Sequence, residues 1–342
     1  MATLDRLLRT PVVQAPMAGG PGTPELVAAV GAAGGLGFLA AGYRSTGDLG
    51  HEIAATRRLT TEPFGVNVFV PRPSSADEEA LVRYLAEIKP EAARYGVALG
   101  AARWDDDDWS AKLELLVTDP VPVVSFTFGC PPPEVVAELQ AAGSVVVVTV
   151  TTPDEAVEAA ATGPDGLCVQ GAEAGGHQGA FADATDPDES VVLLQRLAAV
   201  GSVTRLPLIG AGGLATSQDI AAVLAVGGVA AQLGTAFLCC PESGTSPVHR
   251  SALTGGRFTR TAMTRAFSGR WARGLANRFM AEHPDAPCAY PEVHHATSPL
   301  RWASAAAGDP DAVNLWAGTG FAQCRSLRAA DLVDRLLADS VE

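Results

Sequence analysis

His177 is the side chain whose setting most plainly permits chemistry. It stands in a glycine-dense stretch, GAEAGGHQGA at Gly171 to Ala180, directly after the apolar run Gly166–Gln170. Glycines let backbone approach a ligand closely. A single imidazole just past a buried strand is placed for proton transfer or hydrogen bonding. Two further glycine loops follow apolar runs: Gly210-Ala211-Gly212-Gly213 and Gln232-Leu233-Gly234-Thr235. Backbone N–H groups at Gly212, Gly213, Gly234 and Thr235 can converge on one phosphate, at the place barrels commonly use. Asn67, Gln170 and Gln232 each offer an amide donor and acceptor, which suits the edge of a heterocycle better than a sugar or a metal. Met17 lies in another glycine-rich stretch, Gln14 to Gly20. The run GAAGGLG at Gly31 to Gly37 superficially resembles a dinucleotide fingerprint, but it ends a helix and begins a strand, the reverse of what that turn requires. It is a helix C-cap and a close-packing site.

The elements that must position these residues alternate along the chain. Eight apolar runs read as strands: Val12–Ala15, Leu36–Ala40, Phe64–Val70, Val121–Phe126, Val145–Val150, Gly166–Gln170, Leu206–Gly210 and Val229–Leu233. Helix-like segments separate them, several opened by good start signals such as Thr216-Ser217-Gln218-Asp219. Repeated strand–helix units mean parallel strands with right-handed crossovers, and eight of them favour a closed (β/α)8 TIM barrel. The expected division is a barrel domain over residues 1–238, a smaller helical subdomain over 239–314 inserted before the last barrel helix, and a C-terminal segment over 315–342 that returns to the barrel. The inserted segment, with helix-like pieces such as Ser246–Leu253 and Gly269–Glu282, is expected to cover the barrel mouth and the substrate. Tyr290 and His294 are its candidate substrate contacts. His51 and His283 read as solvent-facing and His249 as structural. The acidic run Asp105–Asp108 reads as a solvated loop with the wrong ligand spacing for calcium.

Composition narrows the classes. A hydrophobic content of 47% with only 6% aromatics fits an Ala, Val and Leu core of helices on a parallel sheet. A net charge of -14 without a basic tract argues against nucleic acid and anionic membranes as partners. No apolar run is long enough to span a bilayer, and the first residues carry no secretory signal, so a cytoplasmic protein is expected. Six scattered cysteines without a C-x-x-C pair indicate no metal site. Only two lysines occur, Lys89 and Lys112, both in the polar region Asp77–Val117, so Schiff-base chemistry at a strand end is not expected.

The chain resembles the nitronate monooxygenases, the FMN enzymes formerly called 2-nitropropane dioxygenases, and within them the class I group. The resemblance spans nearly the whole chain. Its elements are QAPMAGG at Gln14–Gly20, AGGLG at Ala33–Gly37, FGVN at Phe64–Asn67, SFTFG at Ser125–Gly129, Gln170 with GGHQG at Gly175–Gly179, and the two phosphate loops. Late elements are ARGLAN at Ala272–Asn277, Tyr290-Pro291, Thr297–Arg301 and WAG at Trp316–Gly318. The resemblance implies non-covalent FMN, with Gly212, Gly213, Gly234 and Thr235 at its phosphate. Met17, Asn67, Gln170 and Gly175 would line the flavin, with Gln232 and Leu233 beside it, and His177 would be the catalytic residue facing the substrate. The implied reaction is oxidation of an alkyl nitronate, propionate 3-nitronate among the candidates, by O2 to a carbonyl compound with nitrite or nitrate. A monomer or homodimer is expected. Two residues depart from the family's pattern: His294 stands where Asn is usual, and Thr319 where Gln is usual. Relatives built on the same barrel leave two alternatives open, an FMN-dependent NAD(P)H oxidoreductase acting on enoyl thioesters or quinones, and a non-catalytic flavin-binding module.

Overall fold

Six consecutive buried residues, Val145–Val150, can lose water on both faces only inside a parallel sheet covered by helices. The computed structural model, which describes residues 3–183 and 189–338, shows that arrangement. Eight parallel strands close a barrel: β1 (Val12–Gln14), β2 (Leu36–Ala40), β3 (Phe64–Phe69), β4 (Val123–Thr127), β5 (Val145–Val150), β6 (Gly166–Gln170), β8 (Leu208–Ala211) and β9 (Ala230–Leu233). The barrel closes where β9 meets β1, with Val13 opposite Gln232. All eight expected strands are present, three with the expected bounds and five with ends shifted by one or two residues. Thr23, Thr152 and Thr216 cap the helices that follow, each hydroxyl accepting a backbone N–H. The C-terminal helix Ala329–Ala338 packs against the helices Pro24–Ala32 and Ser217–Ala225.

The segment after residue 238 is not purely helical. It holds the helices Pro247–Thr254, Arg278–Glu282 and Glu292–Ala306, and also two strands, β10 (Thr261–Thr264) and β11 (Ala272–Leu275). These pair antiparallel with each other, and β11 pairs with β7 (Gly176–His177), the middle of the glycine-rich loop. The stretch Gly269–Glu282, expected as helix, is therefore a turn, a strand and a short helix capped by Asn277. His283 also differs from expectation. It is buried, its ring packs on Phe279 at 4.5 Å, and its Nδ1 pairs with Glu87. Nearby Glu91 and Glu282 are bridged by the Arg278 guanidinium, so that acidic group already has its cation.

The barrel interior is closed below the site by side chains including Val13, Phe38, Val123, Val147 and Ile209. Phe38 lies directly over Gly65: a β-carbon there would sit 2.1 Å from the Phe38 ring. Gly65→Ala should overpack this layer, cost about 1–3 kcal/mol and lower the melting temperature, with Phe38→Leu restoring part of the loss. An unchanged melting temperature in Gly65→Ala would show that the interior layer yields freely.

Candidate active site

At the C-terminal ends of the barrel strands lies a cavity of about 550 Å³. Its wall brings together Met17, Asn67, Gln170, Gly175, His177, Gly212, Gly213, Gln232, Leu233, Gly234, Thr235 and His294. Tyr290 lines a second, adjoining cavity instead. His249, read from the sequence as structural, also lines the first. Among the described residues its Nε2 is buried without a hydrogen-bond partner, and burial pushes its pKa down to about 4.

The two phosphate loops turn sharply at the strand ends. Gly212 and Gly213 both have positive φ, at 128° and 71°, a conformation that disfavours side chains. A β-carbon on Gly213 would lie 2.9 Å from both Glu173 and Thr319. Among the described residues, no protein acceptor meets the N–H groups of Gly212, Gly213, Gly234 or Thr235. Unpaired backbone donors are rare away from solvent, so these are available to an anionic oxygen. Thr235 Oγ1 accepts from Gly318 N at 2.9 Å, which ties the last loop to the C-terminal segment. Thr319 thus stands beside the Gly213 loop.

The three amides do different things. Asn67 is buried, and its Nδ2 donates to Ser125 Oγ at 2.9 Å and Thr127 Oγ1 at 3.0 Å. With both N–H bonds used, its remaining capacity is the Oδ1 acceptor. Gln170 spans its own loop: Nε2 donates to the His177 carbonyl at 3.1 Å and Oε1 accepts from Gly179 N at 2.7 Å. It fixes the histidine loop to the strand it follows. Gln232 reaches across the barrel to Cys168 Sγ at 3.4 Å.

His177 Nε2 lies 2.9 Å from Ser268 Oγ, and Ser268 Oγ also donates to the Arg270 carbonyl at 3.2 Å. Rings of Phe128, Tyr290 and Trp316 stand edge-on or tilted around the imidazole at 5.5 to 5.9 Å. Burial pushes the His177 pKa down to about 3, and the positive charges of Arg270 and Arg301 push the same way. The imidazole is therefore neutral at pH 7. The positive charge of the site resides on the two arginines. Arg301 donates to Thr297 Oγ1 at 3.1 Å, Ser298 Oγ at 2.7 Å and the His294 carbonyl at 2.9 Å. Burial pushes its pKa down to about 10. Arg270 donates to the carbonyls of Gln178 and Ala180 and stacks 4.2 Å over Phe128. Among the described residues neither guanidinium has a carboxylate within ion-pair distance. No local signal in the sequence distinguishes a buried arginine from an exposed one.

The mouth is held by the acidic run. Asp107 pairs with the wholly buried Lys112 at 2.8 Å, and its Oδ1 accepts from Tyr43 N at 2.9 Å. Asp105 pairs with Arg103 and with His295 at 2.8 Å. The run is a clamp, not a solvated loop, and Lys112 is not a surface residue. Tyr43, at a φ of 66°, is held in a strained conformation for a bulky side chain. Its ring stacks on His294 at 3.9 Å and its hydroxyl lies 3.0 Å from that of Tyr290. Burial raises both tyrosines above their ordinary range and holds His294 well below its own.

Backbone donors at two neighbouring strand ends and a neutral histidine near buried arginines define a TIM-barrel site with room for an anionic ligand. The family model for nitronate monooxygenase matches residues 2–339, and this chain belongs to that family. Its members are flavin-dependent. The chain is 41% identical to a nitronate monooxygenase of Pseudomonas aeruginosa, with 97% of this chain and 96% of that protein covered. It is 41% identical to one of Paraburkholderia phytofirmans, covering 97% and 93%. Among solved structures, a nitroalkane oxidase from Streptomyces ansochromogenes is 51% identical, with a TM-score of 0.96 over 98% of this chain and 97% of that one. FabK from Thermotoga maritima, 24% identical with a TM-score of 0.74 over 99% and 96%, shares the fold. Among the described residues no helix is long and apolar enough to cross a membrane.

The Lys112–Asp107 pair carries the testable consequence. Lys112→Met should leave Asp107 largely buried without its cation and destabilise the protein by about 3–5 kcal/mol. The double variant Lys112→Met, Asp107→Asn removes both charges and keeps the Oδ1 acceptor for Tyr43. It should recover most of the lost melting temperature. Equal melting of wild type and Lys112→Met would show that the pair does not hold the mouth.

Proposed function

We propose that this protein oxidises alkyl nitronates with O2, to a carbonyl compound with nitrite or nitrate, using non-covalently held FMN. The observation that carries the reading is the neutral His177 between two buried guanidinium groups that lack carboxylate partners. Such a site favours a substrate that arrives as an anion. A nitronate is one, already deprotonated, so no strong base is required of His177.

The cavity suits FMN on the chemistry of its donors. The unpaired N–H groups of Gly212, Gly213, Gly234 and Thr235 would hold a phosphate. Met17, Asn67, Gln170, Gly175, Gln232 and Leu233 would surround the ring system, Asn67 offering an acceptor. When bound, the flavin supplies the redox chemistry, taking electrons from the nitronate and passing them to O2. The protein supplies the rest. Arg301 stabilises the anion from the inner cavity. His177, fixed by Ser268 and by the Gln170 clasp on its loop, offers a ring nitrogen at a set position. Tyr43, Tyr290 and His294 wall the substrate side and exclude water.

The test is anaerobic mixing of the purified yellow protein with ethyl nitronate and, separately, with NADH or NADPH. The nitronate should bleach the flavin within the mixing period, and the nicotinamides should leave it nearly unchanged for far longer. Rapid bleaching by NADH without bleaching by nitronates would replace this function with that of a nicotinamide-dependent reductase. His177→Ala should keep its flavin yet lose turnover on the order of tenfold to a thousandfold. Because His177 is already neutral above pH 5, kcat/KM for preformed nitronate should show no inflection near 6.5. An inflection there that vanishes in His177→Ala would mean that the imidazole titrates during turnover.

A further inference from the structure

Ser268 is only 1% exposed, so its hydroxyl must find its partners within the protein. The turn that carries it is closely held. Ser268 N and Gly269 N both donate to the Arg265 carbonyl, at 3.1 Å and 2.7 Å. Gly269 has a φ of 80°, and a β-carbon there would lie 2.2 Å from the Ala289 carbonyl oxygen. The Gly269 carbonyl accepts from Ala289 N at 3.0 Å. Three groups then meet Ser268 Oγ: His177 Nε2 at 2.9 Å, the Arg270 carbonyl at 3.2 Å and Arg270 N at 3.4 Å.

A hydroxyl has one proton to donate and two lone pairs. Arg270 N takes one lone pair. Among the described residues no other donor meets the Arg270 carbonyl, so the hydroxyl proton belongs there. Without it, a buried carbonyl would forgo the hydrogen bond that water gives it in the unfolded chain. What remains on Oγ is a lone pair, and the group facing it must donate. His177 is neutral and carries one ring N–H. That proton therefore sits on Nε2, and Nδ1 is left as an acceptor. Among the described residues Nδ1 has no protein partner, and His177 lines the inner cavity.

We infer that Ser268 is a positioning residue that fixes His177 as its Nε2–H tautomer and leaves an unprotonated Nδ1 as the ring atom that a ligand in the inner cavity meets. The consequence for the reaction rests on the nitronate reading above. A lone pair repels an anionic oxygen. The nitronate oxygens therefore go to Arg301, which lines the same cavity, and Nδ1 faces a part of the bound ligand that carries a proton.

The experiment reads the tautomer directly. The flavin-loaded protein, labelled with nitrogen-15 in its histidine rings, is observed by long-range proton–nitrogen NMR at pH 7. Wild type is compared with Ser268→Ala and Ser268→Cys, and His177→Gln identifies the His177 signals by their loss. The nitrogen shift separates a protonated from an unprotonated ring nitrogen, and the coupling pattern separates Nδ1 from Nε2. Wild-type His177 should be protonated on Nε2 and unprotonated on Nδ1. In Ser268→Ala the two nitrogen signals should move toward each other, as the ring exchanges between tautomers. Ser268→Cys, with a weaker acceptor, should fall between. Ser268→Ala should also lower kcat for ethyl nitronate by about tenfold at unchanged flavin content, the worth of one hydrogen bond. Wild-type His177 protonated on Nδ1 would overturn the proposal. So would the wild-type tautomer in Ser268→Ala, which would reduce Ser268 to packing. A shifted tautomer with unchanged kcat would overturn its part in turnover. The spectrum also separates this inference from the function. If the tautomer follows Ser268 but no nitronate is oxidised, the function fails and the assignment stands. If the tautomer ignores Ser268, the assignment fails whatever the activity. Should Ser268→Ala not fold, the wild-type and Ser268→Cys spectra decide the same point, identical spectra overturning it.

Discussion

Two guanidinium groups, Arg270 and Arg301, lie buried beside the barrel mouth with no described carboxylate within ion-pair distance, although Asp183 is near enough to favour the Arg270 cation. Removing a charge from water costs several kcal/mol even after relaxation, so the surrounding chain is shaped to meet them. The carbonyls of Gln178 and Ala180 turn toward Arg270, and Phe128 places its ring face beneath it. Thr297, Ser298 and the His294 carbonyl converge on Arg301 from its own helix. Neither set of partners carries negative charge. Arg301 lines the inner cavity and Arg270 the outer one.

Burial first, and then the charge of the two arginines, explain the state of His177. An imidazole between two fixed cations and away from bulk water does not protonate near neutral pH. The chain holds the position of this ring from three sides. Gln170 clasps the loop, β11 pairs with it across Ala272 and Arg273, and Ser268 meets the ring nitrogen. Under the proposed function the duties would separate: backbone N–H groups for a phosphate, arginines for substrate charge, and the histidine for orientation.

The clamp at Asp105–Asp108 and the residue at 294 are coupled through Tyr43. A buried ion pair fixes the Tyr43 backbone, and the Tyr43 ring then stacks on His294. The planar ring at 294 gives Tyr43 a stacking face in the wall that the two cavities share. Thr319 stands instead beside Gly213 and acts on the other side of the site.

The eight barrel strands were legible because each is a short apolar run bounded by turn residues, and burial on both faces leaves a continuous hydrophobic signature. The glycine loops and His177 were legible because close backbone approach requires glycine wherever it occurs. What tertiary structure alone decided has a common cause: each feature depends on a partner far away in the chain. β7 is two residues long and exists because Ala272 and Arg273 pair with it. Gly269–Glu282 lost its helical reading to the same pairing. Lys112 and His283 looked exposed by residue type, and Asp107 and Glu87 made their burial possible. Arg270 and Arg301 carry no local mark of burial, because an arginine's charge gives the same sequence signal in water as in a cavity. Residue types along the chain determined the barrel and where its mouth would bind; the folding of residues 261–301 across that mouth decided the charge it presents.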